Sequence, residues 1–302
     1  MTTPAAVHDV PDVRHPAARR VRDVLRSTTH RRTFLIDDEE NIVQALRSGI
    51  RIDSLYRTAR YEFREPELRR LWGSVESFVL DDGVGKSLFG PEKRARTFAL
   101  AQPPKQPGLD DMTRRRGDIV VLDSVRLMGN IGAVTRSACA FGASGVVLMN
   151  SGLTSALDRR LVRASRGLVF ALPVILADAE EVTDYLVRRG VRLISLSAHG
   201  TTPLSAVRDI PDPVALLLSN ERRGASPFFQ ESAARGFFVP MSPEVESLNV
   251  SVAAAIALYE RRHRTWGPDA DESPKALPDA TLAIGPHPSS TGKAVAGTEG
   301  RA

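Results

Sequence analysis

Two segments far apart in the chain carry the small and polar residues that turn a backbone tightly or cap a helix. The first, from Asn130 to Arg136, reads Asn-Ile-Gly-Ala-Val-Thr-Arg and follows an apolar run that predicts a strand. The second, from Glu246 to Val252, reads Glu-Ser-Leu-Asn-Val-Ser-Val, follows Pro240-Met241 and precedes an alanine-rich run that predicts a helix. Proteins of the α/β class hold small ligands where a strand ends and a helix begins. Both segments therefore predict a ligand site.

Within these segments, single residues suit defined tasks. Asn130 is expected to cap the following helix by accepting a backbone N–H bond, and Gly132 allows a close approach of chain or ligand. Ser247 and Asn249 are both suited to cap the helix expected through Glu260. Because a cap needs only one such residue, the additional polar residue indicates a ligand. Taken alone, the first segment is more simply a capped helix with an arginine on its surface.

A third segment, Asn-Glu-Arg-Arg-Gly from Asn220 to Gly224, follows a strand predicted over Val214–Leu218. Alone it is more simply a polar turn. Together the three segments resemble the signature motifs of the SPOUT superfamily of RNA methyltransferases, in its TrmH-type ribose 2'-O branch. Within that branch the chain is most similar to the thiostrepton- and nosiheptide-resistance 23S ribosomal RNA methyltransferases. The resemblance covers roughly residues 30–265 and is strongest over 117–175 and 236–262.

The resemblance implies S-adenosylmethionine-dependent 2'-O-methylation of an adenosine ribose in the thiopeptide-binding loop of 23S ribosomal RNA, which blocks thiostrepton-like antibiotics. It also implies a homodimer whose two active sites use residues of both subunits. The N-terminal domain is expected to resemble ribosomal protein L30e and to grip the RNA. The second domain is expected to end in a deep trefoil knot.

The resemblance also assigns residues. It implies a catalytic set of Asn130, Arg136, Glu221, Ser247 and Asn249. It implies a cofactor pocket made by Leu196, Ser197, Ala198, Ser219, Asn220, Glu221, Gly224, Val239, Met241, Ser247 and Leu248. An arginine is almost never deprotonated, so we expect Arg136 to lower the barrier to alkoxide formation rather than to act as a simple base.

The motifs depart from the family at two positions. Ser219 stands where the family has Gly, and Arg223 stands where it often has a second Gly. If the first position requires a positive φ, Ser219 would be strained.

Two basic stretches are candidates for RNA contacts. Residues 158–167 hold four arginines in eight positions, although such a run is usually a solvated helix face. Arginine binds phosphate through paired N–H donors, and aromatic rings stack on splayed bases. The RNA candidates are Arg159, Arg163, Ser165 and Arg166 in that run, and Lys86, Phe89, Lys93, Arg94 and Arg96 in the N-terminal domain. Phe98, beside the second group, is interpreted as a core residue.

The composition limits other functions. The 302 residues favour two domains, and 41 Lys+Arg against 36 Asp+Glu weakly favour a polyanionic partner. The single cysteine excludes a disulfide framework, and the six histidines lack metal-ligand spacing, so no metal is expected. The sequence contains neither a Walker-type phosphate loop nor a Gly-x-Gly-x-x-Gly fingerprint, so a nicotinamide enzyme is not expected. Without a signal peptide or a membrane span, a cytoplasmic protein is expected.

The alternation of strand-like and helix-like runs predicts an α/β protein in two parts. We expect a mobile arm over 1–30 that ends in a helix, a small α/β domain over 31–105, a parallel-sheet domain over 110–266 and a disordered tail over 267–302. The Pro- and Gly-rich segment 102–108 is the expected linker. Continuous apolar runs at 118–122, 145–149, 169–176, 192–196, 214–218 and 237–239 predict parallel strands buried on both faces.

Two other functions remain open at this point. One is a 2'-O-methyltransferase that acts on another ribosomal or transfer RNA nucleotide. The other is a non-catalytic RNA-binding protein that kept the fold. The presence of all five implied catalytic residues argues against the second.

Overall fold

The computed structural model of the protein describes residues 6–27, 32–90, 95–219, 229 and 236–263, without the side chains of Arg114 and His263. The predicted tail over 267–302 lies outside the described residues. Two five-stranded sheets follow one another along the chain. The expected linker leads into a 3-10 helix, Leu109–Arg114, that joins them.

The first sheet is mixed. Its strands are β1 (Val7–Val10), β2 (Phe34–Asp37), β3 (Ile52–Thr58), β4 (Glu76–Leu80) and β5 (Thr97–Ala101). The helices among them are α1 (Pro16–Arg26), α2 (Glu39–Arg47), α3 (Pro66–Leu71) and α4 (Asp82–Phe89). The strand order is β1-β4-β3-β5-β2. β5 runs antiparallel to both neighbours, whereas the other pairs are parallel.

The expected mobile arm is wrong for the described part of residues 1–30. β1 is an edge strand paired with β4 from Val7 opposite Ser77 to Val10 opposite Leu80. α1 buries Ala17, Ala18 and Val21 in the core of this sheet. The apolar residues of α1 recur at helical spacing among its arginines, and they pack on the core of this sheet: Ala17, Ala18, Val21, Val24 and Leu25. The segment is therefore part of the first domain.

The second sheet is entirely parallel, as the continuous apolar runs predict. Its strands are β6 (Ile119–Asp123), β7 (Gly145–Met149), β8 (Val174–Leu176), β9 (Arg192–Ser195) and β11 (Val214–Ser219). The order is β8-β7-β6-β11-β9. β7 and β8 therefore extend the sheet on one side of β6, and β11 and β9 extend it on the other. The helices are α5 (Met128–Ala140), α6 (Arg159–Ala164), α7 (Ala179–Arg189) and α8 (Val250–His263).

Two predicted strands differ from the structure. The run 169–176 is a strand only from Val174, because Gly167 adopts a left-handed φ of 74° and a 3-10 helix, Leu168–Phe170, follows it. The run 237–239 gives β12 (Phe237–Phe238), which pairs with β10 (Thr202–Pro203) outside the five-stranded sheet.

Helix α8 is anchored at its carboxyl end. The buried Arg261 guanidinium donates to both carboxylate oxygens of Asp118 at 2.9 Å. The same guanidinium also donates to the carbonyls of Val207, Ile210 and Asp212 at 2.7–2.8 Å. A bidentate pair with these additional acceptors satisfies the buried charge. The anchor fixes α8 against the residue that precedes β6.

Helix length and apolarity also bear on membranes. In the part of the chain that the structure describes, no helix is both long and apolar enough to cross a lipid bilayer.

Candidate functional site

A cavity of about 600 Å³ opens at the carboxyl ends of β9 and β11. Every described residue that the sequence assigned to the cofactor pocket lines it. These residues are Leu196, Ser197, Ala198, Ser219, Val239, Met241, Ser247 and Leu248. The other three predicted pocket residues, Asn220, Glu221 and Gly224, lie outside the described residues. The motifs therefore meet in space where the sequence placed a ligand.

The parallel sheet explains why these segments meet. β9 and β11 are neighbours in register from Arg192 opposite Val214 to Ser195 opposite Leu217, so their ends lie side by side. Beyond β9, the Leu196 amide donates to the Leu217 carbonyl at 2.9 Å. The Ser197 amide donates to the Phe237 carbonyl, also at 2.9 Å. These bonds hold three loops around one opening.

Eight further residues line the cavity and were not predicted. They are Ser195, His199, Leu217, Leu218, Phe237, Glu246, Val250 and Ala253. All are sequence neighbours of predicted residues, at the same strand ends or at the start of α8. Glu246 and Val250 already lie within the second segment. The others lie at the ends of predicted strands or one residue beyond a predicted motif.

Asn249, in the second segment, is hydrogen-bonded to Asn130 of the first. Its Oδ1 accepts from the Ser251 amide at 2.9 Å and the Ser251 hydroxyl at 2.7 Å, so Asn249 caps α8 as predicted. Its Nδ2 donates to Asn130 Oδ1 at 3.2 Å. The expected cap by Asn130 is wrong, because α5 begins earlier. The Asn130 and Ile131 amides donate to the Leu127 carbonyl at 3.0 and 3.1 Å, which places Asn130 inside the first turn.

Arg136 stands apart from this cavity in the single chain. Its side chain is exposed on α5 and is absent from the cavity lining. Within the described residues, no hydrogen bond or ion pair engages its guanidinium. The predicted partner Glu221 lies outside the described residues. The single chain therefore leaves Arg136 available to another molecule.

The structure defines the backbone conformation at Ser219 and the packing at Gly132. Ser219 ends β11 and is not among the non-glycine residues with positive φ, so the expected strain at this position is absent. A Cβ on Gly132 would lie 2.4 Å from the carbonyl carbon of Ala164. The close approach at Gly132 is therefore between α5 and α6 rather than with a ligand.

The arginine run over 158–167 contacts the first domain. Arg163 forms an ion pair with Asp37 and lies 3.4 Å from Asp38, and Arg159 lies 3.7 Å from Asp37. We call Asp37, Arg159 and Arg163 the interdomain clamp. Arg166 pairs with Glu40 at 3.3 Å. The carboxylates of the first domain thus occupy the guanidiniums that were predicted to face RNA.

The clamp surrounds a buried charge. Asp37 is fully buried, and its Oδ1 has no hydrogen-bond partner among the residues that the structure describes. Burial raises the pKa of Asp37, while the guanidiniums of Arg163 and Arg159 act to lower it. Around the clamp, the rings of Phe34 and Phe170 lie 5.8 Å apart, and one apolar core runs through both domains. The clamp therefore holds a packed interface.

Two other predicted RNA contacts are wrong because the side chains are buried. The Ser165 hydroxyl is fully buried and donates to the Val162 carbonyl at 3.1 Å. Phe89 is buried with its ring centroid 4.9 Å from that of Phe98, which is itself a core residue as predicted. Lys86 and Arg96 are exposed, whereas Lys93 and Arg94 lie outside the described residues.

Comparison with known proteins agrees with the motifs. Residues 7–115 match the family model described as thiostrepton-resistance methylase, N terminus, and residues 118–259 match the SpoU rRNA methylase family. The chain is 40% identical over 252 residues to a 23S rRNA (adenosine(1067)-2'-O)-methyltransferase of Streptomyces azureus, covering 82% of this chain and 93% of that protein. A protein of the same name from Streptomyces laurentii is 36% identical, with 82% and 93% covered.

A solved structure shares the architecture. The SpoU methyltransferase AviRb from Streptomyces viridochromogenes, in complex with the cofactor AdoMet, superposes with a TM-score of 0.69 at 25% identity. The match covers 83% of this chain and 98% of AviRb. The resemblance predicted from three short motifs is confirmed, and the chain belongs to the SpoU family of rRNA methylases with the N-terminal region of the thiostrepton-resistance methylases.

Proposed function

We propose that this protein transfers a methyl group from S-adenosylmethionine to the 2'-oxygen of an adenosine ribose in the thiopeptide-binding loop of 23S ribosomal RNA, which gives resistance to thiostrepton-like antibiotics. The observation that carries the proposal is the cavity at β9 and β11, lined by eight residues of the methyltransferase motifs. Two relatives that share at least 36% of the aligned residues are 23S rRNA (adenosine(1067)-2'-O)-methyltransferases. We assign the same adenosine to this chain.

The cavity suits S-adenosylmethionine in size and lining. About 600 Å³ lies within the range of roughly 300–1,000 Å³ that small-molecule sites occupy. Leu196, Leu217 and Leu248 offer apolar surface for a purine ring, and the hydroxyls of Ser197 and Ser219 offer hydrogen bonds. Asn220, Glu221 and Gly224 are proposed to complete the wall. When bound, the cofactor supplies a methyl group on positively charged sulfur.

The residues of the chain would then prepare the ribose. A 2'-hydroxyl is a poor nucleophile until its proton is drawn off by a base or a cationic field. The Arg136 guanidinium is proposed to supply that field, which favours the alkoxide, and the released proton is proposed to pass to a phosphate oxygen of the RNA. The Asn130–Asn249 bond fixes the edge of the site where the hydroxyl is to be held, with Ser247 beside it. Glu221 is proposed to orient Arg136.

We also propose that the active form is a homodimer. Helix α8 exposes Val252 and Tyr259 on either side of the half-buried Ile256, and Leu127, just before α5, is 70% exposed. Exposed apolar patches mark interaction sites. Arg136 is exposed on the adjacent α5, so a second copy seated there would receive it beside its own cavity. The alanines Ala254 and Ala257 of the same helix are fully buried within one chain, so they are not part of the proposed contact.

Substitution of Val252 by glutamate should separate the dimer, because a carboxylate would be buried in the apolar contact. We expect wild-type protein to sediment at twice the mass of one chain and the variant at the mass of one chain, with methylation lost. The matched control is Val187→Glu, which places the same charge on α7 at a valine that is 74% exposed. A wild-type monomer with full activity would contradict the dimer.

The proposal also covers the chain path at the carboxyl end, the role of the N-terminal domain and the cellular location. The segment 239–249 passes the ends of β9 and β11 before α8 packs on α5, a path that supports a deep trefoil knot at the carboxyl end. The mixed sheet of residues 7–101, with helices between its strands, supports an L30e-like RNA-binding domain, for which the exposed Lys86 and Arg96 are proposed contacts. A ribosomal RNA substrate places the enzyme in the cytoplasm.

The reaction is tested with a labelled methyl group. Purified protein, S-adenosylmethionine labelled in the methyl group and a transcript of the thiopeptide-binding loop should give labelled RNA. A matched transcript with 2'-deoxyadenosine at the target should take up no label. Equal labelling of both transcripts would move the reaction to a base, and labelling of transfer RNA alone would move the substrate.

A further inference from the structure

The lining of the cavity includes two residues with ionisable side chains. Among its described lining residues, only Glu246 and His199 carry ionisable side chains, and the others are apolar, small or hydroxylated. Glu246 lies in the loop that leads into α8, four residues before the first helical residue. Within the described part of the chain, its carboxylate has no hydrogen bond or ion pair. Among the described residues of the lining, Glu246 is therefore the one negative charge without a partner.

Glu246 is exposed in the single chain, and apolar residues share the cavity lining with it. Leu196, Leu248 and Val250 lie in the same lining, and Val250 is buried. A charge next to apolar surface is screened less than one in open water, so it attracts an opposite charge more strongly. His199 is held by a short turn in which its amide donates to the Ser197 hydroxyl at 3.2 Å.

The two small molecules that the proposed reaction exchanges differ in charge at one atom. S-adenosylmethionine carries a sulfonium, and the product S-adenosylhomocysteine carries a neutral thioether. Their adenine, ribose and amino-acid parts are identical. Apolar contacts and backbone bonds to those shared parts cannot separate them, whereas a carboxylate can.

We propose that Glu246 is a specificity-determining residue that favours the sulfonium cofactor over the neutral product. This inference rests on the proposed function. The Glu246 carboxylate attracts the charged sulfur, and that attraction ends when the methyl group has left. The same residue thus helps the cavity to load cofactor and to release product.

Calorimetry of the full-length protein tests this directly. The three ligands are S-adenosylmethionine, S-adenosylhomocysteine and an analogue in which a protonated amine replaces the methylated sulfur. For Glu246→Gln we expect the two cationic ligands to bind about fivefold more weakly, roughly 1 kcal/mol. The neutral product should change by less than about twofold. The matched control is Glu244→Gln, since Glu244 is an exposed carboxylate of the same loop that does not line the cavity.

The outcomes separate the two claims. An equal loss of affinity for all three ligands, or no loss for any, would overturn the role of Glu246 while leaving the reaction intact. Equal effects of Glu246→Gln and Glu244→Gln would reduce the role to the general charge of the loop and also overturn it. If the wild-type protein bound none of the three ligands, the proposed function itself would fall. Thermal unfolding of both variants verifies that each is folded.

Discussion

Replacing Arg136 with alanine is expected to slow methyl transfer by about two to four orders of magnitude. The guanidinium is the cation that the first motif provides, and its field is needed only when the 2'-oxygen gains negative charge. Affinity for S-adenosylmethionine should stay within about twofold, because Arg136 does not line the cavity of its own chain. Single-turnover rates and calorimetry on the same preparation measure both quantities.

Arg192→Ala is the matched control for this experiment. Arg192 is an exposed arginine at the start of β9, at the end of the strand opposite the cavity. Its loss should leave the rate unchanged. If Arg136→Ala retained activity within about tenfold of wild type, Arg136 would have no part in the chemistry. Loss of cofactor affinity instead of rate would make it a binding residue.

Replacing Arg163 with alanine is expected to destabilise the docked pair of domains by about 1–3 kcal/mol. Breaking a buried ion pair usually costs more, but Arg163 is 46% exposed and Arg159 remains near Asp37. The variant leaves the fully buried Asp37 carboxylate poorly compensated. The midpoint of thermal unfolding should fall by several degrees.

The loss of stability should depend on pH in a defined direction. Burial already raises the pKa of Asp37, and removal of the Arg163 guanidinium would raise it further. Below that raised pKa, Asp37 is protonated and the missing cation costs little. As the pH rises through it, the carboxylate becomes charged and stability is lost. We therefore expect a larger fall in the unfolding midpoint, relative to wild type, at pH 8 than at pH 5.

Arg160→Ala provides the comparison on the same helix. Arg160 pairs locally with Asp158 and is 67% exposed, so its loss should change stability by less than about 1 kcal/mol at either pH. Equal effects of the two substitutions, or a larger effect of Arg163→Ala at pH 5, would show that the clamp does not hold a buried charge.

The sequence predicted the second domain well for a physical reason. Strands buried on both faces require unbroken apolar runs, and such runs located β6, β7, β9 and β11 to within one or two residues. The motifs follow the carboxyl ends of strands. Because the carboxyl ends of parallel strands lie at the same edge of a sheet, the motifs meet there. Ser195, Leu217 and Phe237 line the cavity for the same reason, although the motifs alone did not indicate them.

The contacts of the arginine run over 158–167 could not be predicted from the sequence. Arg163 and Asp37 are 126 residues apart, and no local pattern states that they meet. An unpaired arginine and a paired one have the same sequence signature, so the RNA interpretation and the interdomain interpretation could not be separated. The first strand was missed because a four-residue edge strand with one buried residue gives little periodic signal. The helix at the end of this segment was expected, but its packing on the sheet was not.

Mapping the methylated nucleotide tests the central claim most directly. Unmodified 23S ribosomal RNA is incubated with the protein and S-adenosylmethionine, and primer extension at low nucleotide concentration locates ribose methylation as a stop. We predict a single new stop in the thiopeptide-binding loop. It should lie at the adenosine for which the two Streptomyces relatives are named, 23S rRNA (adenosine(1067)-2'-O)-methyltransferase. A stop only at another nucleotide, or no stop from protein that binds the cofactor, would contradict it.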